Sequence, residues 1–267
     1  MSLNQLVVIV TRPRESAEAT VNALNAAGAK AVALPLLEIT GIEAATLPLT
    51  APPDAIIFVS SNAAQFGVPA LSRQRMIANA DAAQLIYAVG QATANRLAAL
   101  GLARVMTPAG GEDSEALLAE PFFVSPQGRV ILIVKGDSKS GGRQLLEDTL
   151  KQRGATVHNL ICYQRELTAL TGADRKRLAD GVQGGATVLV GSVETLQSLA
   201  NNLTLEGLSL ANVTHLLVPH QRVAEAAIAA GALHIHTSVV SLEDNKLVQT
   251  LSNPQALSCI DPAHTVE

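Results

Sequence analysis

The sequence predicts an α/β protein of two similar doubly wound domains, each built on a parallel sheet, with the first domain discontinuous. Helix-period stretches alternate with short β-branched strands, a pattern typical of parallel βα units. Apolar residues make up 48% of the chain and aromatic residues only 2%, which suits helices packed on a buried parallel sheet. The chain also repeats itself at an offset of about 130 residues.

Three strand–turn–helix segments each occur twice. The pairs are 7–35 with 130–163, the segment from Ala55 with that from Thr187, and the segment from Leu85 with that from His215. Glycines stand where four of the predicted helices should end, as is common at helix C-termini; these are Gly28, Gly101, Gly154 and Gly231. Such a repeat indicates two units of similar fold.

The predicted strands divide into two sets of five. One set is complete in itself and is expected at 55–59, 84–89, 103–106, 129–134 and 156–160. The other set has two strands before Leu36 and three at about 187–190, 213–218 and 233–237. One larger domain with a continuous sheet is the alternative.

This division predicts domain boundaries. They are 1–35 with 168–251 for the discontinuous domain, 42–161 for the inserted domain, 36–41 and 162–167 for two linker strands, and 252–267 for a mobile tail. Two thin crossings of this kind would permit hinge closure around a ligand in a cleft between the domains.

Composition and charge exclude several classes of protein. The net charge of −4 gives no overall basic field for nucleic acid. No uncharged apolar stretch reaches the roughly 18 residues of a membrane span, and the first apolar run lacks the preceding basic region of a signal peptide. The two cysteines, Cys162 and Cys259, do not have zinc-ligand spacing. We therefore expect a cytoplasmic protein with no nucleic-acid or membrane partner.

In open parallel sheets, ligands bind where the carboxyl ends of the strands meet helix N-termini. The turns predicted there combine small or hydroxyl residues, which leave backbone N–H groups open, with arginine and lysine, and this favours a carboxylate or phosphate site. The alternative is that the hydroxyls cap helices and the cations are solvated. The expected substrate-binding residues are Arg12, Ser61, Asn62, Gly90, Gln91, Lys135, Gly136, Arg143, Ser192, His220 and Arg222.

Other kinds of site find little support. The 136–143 segment has Gly-Arg where a phosphate loop needs Lys-Ser/Thr, and neither GxGxxG nor GxSxG occurs in a predicted turn. No metal is expected, since no carboxylate or thiolate is predicted to converge with the late histidines, which are His215, His220, His234 and His236. Tyr163 lies in the second crossing, where its hydroxyl can point into the cleft and donate a proton. The alternative is that it packs a strand with the hydroxyl in water.

Five motifs in order carry a family resemblance. They are Thr11-Arg12-Pro13 after the first strand, Asp54-x-x-x-Phe58-Val59-Ser60-Ser61-Asn62-Ala63, Val89-Gly90-Gln91-Ala92-Thr93-Ala94, Gly141-Gly142-Arg143, and Cys162-Tyr163-Gln164-Arg165. With them the sequence resembles the uroporphyrinogen-III synthase family up to about Leu251. The resemblance implies two α/β domains on a two-stranded linker.

The resemblance also implies the reaction, a cofactor-free dehydration in tetrapyrrole biosynthesis. Hydroxymethylbilane, a linear tetrapyrrole with eight carboxylates, ionises to an azafulvene and closes through a spiro intermediate, with inversion of ring D, to uroporphyrinogen III. The family's proposed proton-donor tyrosine corresponds to Tyr163 and its turn threonine to Thr93. A hydroxyl residue is common in the family's last repeat, but this chain has His220-Gln221-Arg222 there. Whether His220 or Arg222 takes over that contact is left open.

A second function class is kept beside the enzyme. It is a non-catalytic two-domain protein that senses or binds an organic anion. A periplasmic binder should carry a signal sequence, and a sensor should carry an output module. We expect this chain to have neither. The expected state is a monomer that needs no cofactor, with a transient contact to the preceding enzyme of the pathway left open.

Overall fold

The computed structural model describes residues 3–77, 84–137, 144–233 and 237–253. It confirms an α/β fold with parallel sheets. The chain forms two compact units, one of Met1–Glu38 with Glu166–Glu267 and the other of Ile39–Arg165. None of the helices within the described ranges is both long and apolar enough to cross a membrane.

The first unit contains a five-stranded sheet with helices around it. Its strands are β1 (Val7–Val10), β2 (Lys30–Ala33), β8 (Thr187–Leu189), β9 (His215–Val218) and β10 (Thr237–Val239). They are arranged in the order β10-β9-β8-β1-β2. The helices are α1 (Arg14–Ala26), α7 (Gly172–Gln183), α8 (Val193–Leu205), α9 (Gln221–Ala229) and α10 (Asp244–Ser252), and a 3-10 turn spans Leu210–Asn212.

Both faces of this sheet are covered. Ile9 belongs to one apolar cluster, whereas its neighbours Val8 and Val10 belong to another. Because successive strand side chains point to opposite faces, the two clusters lie on opposite sides of the sheet. The strands pair in parallel, so their carboxyl ends share one edge.

The second unit also contains a five-stranded sheet. Its strands are β3 (Leu37–Gly41), β4 (Ala55–Phe58), β5 (Leu85–Ala88), β6 (Val130–Gly136) and β7 (Thr156–Leu167). They are arranged in the order β3-β7-β6-β4-β5. The helices are α2 (Ser61–Arg73), α3 (Gln91–Ala99), α4 (Ser114–Leu118), α5 (Pro121–Val124) and α6 (Gln144–Gln152). Strand β4 lies inside the sheet, and all four of its residues are fully buried.

The prediction of a strand at 103–106 is wrong. Only Met106 pairs, through a single bridge to Tyr87. The Met106 N–H donates to Ile86 O, and the Ala88 N–H donates to Met106 O. The next donor in a parallel ladder would be residue 108, which is a proline without an N–H, so the ladder ends there.

The segments predicted as linkers are both strands. Residues 37–41 supply the fifth strand of the second sheet, as β3, and the second segment is the end of a continuous β7. In the first sheet, the described part of the last strand is Thr237–Val239. Residues 234–236 of the strand predicted at about 233–237 lie outside the described residues. The predicted tail lies largely outside the described residues, although Ser252 still belongs to α10.

Candidate functional site

The carboxyl ends of β4, β5 and β6 meet at one edge of the second sheet, and β7 continues past them. The register sets Phe58 opposite Ala88 on one side and Val134 on the other. Two positions after each of these three residues, the chain lies at the edge. The residues level with each other there are Gly90 after β5, Ser60 after β4, Gly136 at the end of β6, and its partner Tyr163 in β7.

Tyr163 packs tightly against its neighbours and is only 2% exposed. A Cβ atom built on Gly136 would overlap the tyrosine ring, so the ring lies directly against the glycine. The Phe66 ring lies beside it, with centroids 6.0 Å apart, and the Arg165 guanidinium carbon is 5.9 Å from the tyrosine ring centroid. These contacts leave the tyrosine ring little freedom to move.

The Tyr163 hydroxyl reaches Ser60. The two hydroxyl oxygens are 3.1 Å apart, and either can donate. Ser60 is also the residue before α2, with extended backbone, and its Oγ accepts the Ala63 N–H at 3.1 Å. A serine in this position satisfies an otherwise unpaired N–H of the first helical turn. One side chain therefore both begins a helix and anchors the tyrosine.

The neighbouring turn carries Gly90, Gln91 and Thr93. Gly90 precedes α3, and a Cβ atom there would lie 2.8 Å from Glu112 Oε2. The Gln91 side chain donates to Asn95 Oδ1 at 2.9 Å, within the same helix. Thr93 is 5% exposed, and its N–H donates to Gly90 O. The close carboxylate of Glu112 was not predicted from the sequence.

Lys135 is paired within its own unit. Its Nζ lies 3.2 Å from Glu147 Oε2, and Lys151 Nζ lies 2.7 Å from Glu147 Oε1. Burial alone would raise the pKa of Glu147, but hydrogen bonds from Lys151, Asn159 and Lys135 outweigh it and lower the pKa to about 2. Two lysines thus share one carboxylate beside the edge.

We expect Glu147→Gln to destabilise the protein by about 2 kcal/mol at pH 7. This is less than the full pKa shift implies, because the side chain is 17% exposed and solvent screens it. A lowered pKa contributes stability above the ordinary value of 4.5, and that stability is lost as the pH falls through about 2. Urea unfolding from pH 7 to pH 2 should therefore show the gap between variant and wild type closing.

The matched control is Glu225→Gln, an exposed position in α9. Its effect should stay within about 0.5 kcal/mol at every pH. A gap for Glu147→Gln that stays constant with pH would show that its carboxylate is not stabilised by the lysines.

Arg12 lies at the corresponding edge of the first sheet, where it is bonded within its own unit. Its Nη1 donates to Thr20 Oγ1 at 2.8 Å and to Leu242 O at 3.0 Å, and lies 3.5 Å from Asp244. Burial lowers the pKa of Arg12, while the charge of Asp244 acts in the opposite direction. Arg12 thus connects β1 and α1 to the start of α10.

The other predicted residues at this edge stand at helix starts. Ser192 precedes α8, and its Oγ accepts the Thr195 N–H at 3.2 Å. His220 precedes α9 without a side-chain cap bond, and both it and Arg222 are exposed.

The predicted site residues therefore fall into two groups. Those at the edge of the second sheet or in the turns just beyond it are Ser61, Asn62, Thr93, Gly90, Gln91, Lys135, Gly136 and Tyr163. Those at the edge of the first sheet are Arg12, Ser192, His220 and Arg222. Arg143 lies outside the described residues. Sequence reasoning missed Ser60 as a contact residue, although its position directly before a predicted helix is the signal of a cap.

Metal and thiol chemistry find no support within the described ranges. No group of three or more histidine, cysteine, aspartate or glutamate side chains there is placed to hold a metal ion. Cys162 is buried, its Sγ lies 3.6 Å from Lys135 O, and burial raises the pKa of its thiol to about 12. It is therefore protonated at neutral pH and a poor nucleophile. His234, His236 and Cys259 lie outside the described residues.

Known proteins resemble the chain along most of its length. The sequence profile described as uroporphyrinogen-III synthase HemD matches residues 18–241. Uroporphyrinogen-III synthase of Salmonella typhimurium is 34% identical over 197 residues, which cover 72% of this chain and 78% of the relative. The Escherichia coli K12 protein of the same name is 30% identical over 197 residues, with the same two shares.

Two solved structures resemble the fold. Uroporphyrinogen-III synthetase from Helicobacter pylori has a TM-score of 0.59 at 18% identity and covers 92% of this chain and 99% of its own. A mutant uroporphyrinogen III synthase from Thermus thermophilus has a TM-score of 0.56 at 17% identity, with 94% and 98% covered. At such low identity the likeness concerns the fold alone.

Proposed function

Because this chain belongs to the uroporphyrinogen-III synthase family, we propose that Tyr163 supplies the proton for the dehydration that the family catalyses. The activity is that of a hydro-lyase of haem biosynthesis, which cyclises hydroxymethylbilane to uroporphyrinogen III. The observation that carries the assignment of the donor is the Tyr163 hydroxyl on Ser60, at an edge where three parallel strands end beside β7. Ligands of open parallel sheets bind at this edge.

The dehydration needs a proton donor and a shape, and no strong nucleophile. The hydroxyl of the terminal hydroxymethyl group leaves as water once its oxygen is protonated, and an azafulvenium cation forms. A phenol is neutral at pH 7 and can give that proton. The packing of Gly136, Phe66 and Arg165 around the ring holds the phenol in place. A proton donor held in the correct position raises the rate of dehydration above that of the uncatalysed reaction.

We propose that backbone N–H groups at helix starts hold much of the substrate's carboxylate charge. Helices α2, α3, α8 and α9 begin directly after strands, at Ser61, Gln91, Val193 and Gln221. N–H groups at a helix start attract carboxylates. Arg222 is exposed and adds a cation, whereas Lys135 and Arg12 already have carboxylate neighbours. In this proposal, both cationic side chains and backbone N–H groups bind the substrate's carboxylates.

We further propose that the two units are separate domains with the boundaries predicted above. Their support is that each unit has its own sheet and its own apolar clusters. The proposed state is a cytoplasmic monomer, and the net charge of −4 argues against a nucleic-acid partner.

The activity is tested by supplying hydroxymethylbilane, oxidising the products and separating the porphyrin isomers. We expect uroporphyrinogen III, with ring D inverted, to form much faster than the unrotated isomer that arises without enzyme. A sample without protein measures the uncatalysed background. A chain that binds hydroxymethylbilane and yields only the unrotated isomer would be the non-catalytic organic-anion binder instead.

A further inference from the structure

The Ser60 hydroxyl has one bonding position left for a ligand. A serine hydroxyl has one hydrogen to donate and two lone pairs that accept. The Ala63 N–H donates to Ser60 Oγ at 3.1 Å, and the Tyr163 hydroxyl lies 3.1 Å from the same atom. If the tyrosine donates, both lone pairs are used and the serine's own hydrogen is free.

Exposure decides which of the two hydroxyls meets a substrate. The Tyr163 side chain is 2% exposed, whereas Ser60 is partly exposed. The residues that enclose the tyrosine ring, Gly136, Phe66 and Arg165, belong to the same compact unit as the tyrosine. A substrate that approaches the edge therefore reaches the serine first.

We propose that Ser60 is a catalytic residue that passes the proton of Tyr163 to the substrate. This rests on the proposed function, in which the tyrosine is the source of the proton. The N–H of the helix start holds the serine, and the packed ring holds the tyrosine, so the two oxygens stay within hydrogen-bond distance. A fixed pair of this kind suits a proton relay.

The relay balances its protons and electrons. The Ser60 Oγ–H bond breaks as its proton moves to the hydroxyl oxygen of hydroxymethylbilane. The carbon–oxygen bond of that group then breaks, its electron pair leaves with water, and the positively charged azafulvenium ion remains. Ser60 Oγ takes the Tyr163 proton at the same time, which leaves a phenolate. The tyrosine recovers a proton when ring closure releases one from the tetrapyrrole.

The test compares variants of Ser60 for the rate of type III isomer formation. Ser60→Gly removes the hydroxyl, and glycine is nearly as good as serine before a helix, so the fold should persist. We expect its rate to fall about 100-fold, as for loss of a proton donor. Ser60→Ala is measured alongside with the same expectation, and circular dichroism reports folding. Ser60→Thr retains both hydroxyl and cap and should keep most of the rate.

Thr171→Ala is the matched control for loss of a helix cap. Thr171 precedes α7, its Oγ1 accepts the Asp174 N–H at 3.1 Å, and it belongs to the other compact unit from Ser60 and Tyr163. Its removal should leave the rate unchanged. A large loss of rate in this control would mean that the Ser60 variants report lost capping, and it would overturn the relay.

The double variant separates a relay from two independent groups. Members of one proton path are not additive, so Ser60→Gly with Tyr163→Phe should remain about 100-fold slow rather than about 10,000-fold. Near-normal rates for Ser60→Gly and Ser60→Ala, with a large loss for Tyr163→Phe, would overturn the relay and leave the tyrosine as the direct donor. Full activity of Tyr163→Phe would overturn the proposed role of Tyr163 as proton source, and with it the relay, while leaving the synthase activity itself in place.

Discussion

Tyr163→Phe should slow the formation of the type III isomer by about 100-fold. Positioned proton donors contribute about 100-fold to 10,000-fold, and a substrate that ionises readily leaves less for the donor to do. The phenylalanine ring keeps the contacts with Gly136 and Phe66. The loss of one hydrogen bond, to Ser60, should cost about 1 kcal/mol of stability. Substrate affinity should therefore change much less than turnover.

Tyr87→Phe is the matched control, because the chain has only two tyrosines. Tyr87 is also buried, and it packs edge-on against Phe123 with ring centroids 4.8 Å apart. It belongs to β5 and precedes the edge, so the activity of this variant should remain normal. Measurements are initial rates, isomer ratios and thermal unfolding.

Thr93→Ala tests the alternative assignment, in which the Gly90 turn and not Tyr163 carries the chemistry. Thr93 is buried in the first turn of α3, and its loss should lower the rate less than loss of the phenol. Full activity and isomer purity in Tyr163→Phe, with most activity lost in Thr93→Ala, would assign the chemistry to the Gly90 turn instead.

Gly136→Ala should damage both stability and activity. The added methyl group would overlap the ring of Tyr163, and the neighbouring Phe66 ring limits how far the tyrosine ring can shift. Overpacking of this kind costs about 1 to 3 kcal/mol. Displacement of the ring also moves its hydroxyl from Ser60, and a misplacement of about 1 Å can lower turnover by about 100-fold. Urea unfolding and the isomer assay measure the two effects.

Gly191→Ala is the control for stability, since a Cβ atom there meets nothing within 4 Å. A second control removes the obstacle: in a Tyr163→Ala background, Gly136→Ala should cost little further stability, because the ring that it would strike is gone. If Gly136→Ala alone matches the wild type in stability and rate, the tyrosine is not held by the glycine.

Local pattern predicted most of the elements but not all of their partners. Hydrophobic periodicity identified β4 and β6, and the glycines at helix ends marked where turns begin. The same reasoning placed a strand at 103–106, since an apolar run looks alike whether or not a neighbour can complete its ladder. Residues 37–41, predicted as a linker strand, supply the fifth strand beside β7, whereas a strand at 103–106 would have extended the sheet on the opposite side, beside β5.

The sequence by itself determined the α/β class and the turns that carry the candidate site, because strand and helix periods and turn residues are local properties of the chain. Only the tertiary structure decided that Ser60 meets Tyr163, 103 residues away, and that Arg12 meets Leu242 and Asp244. These contacts depend on strand order and register, which bring distant residues to one edge of a sheet. A single sequence does not contain that register as a local signal.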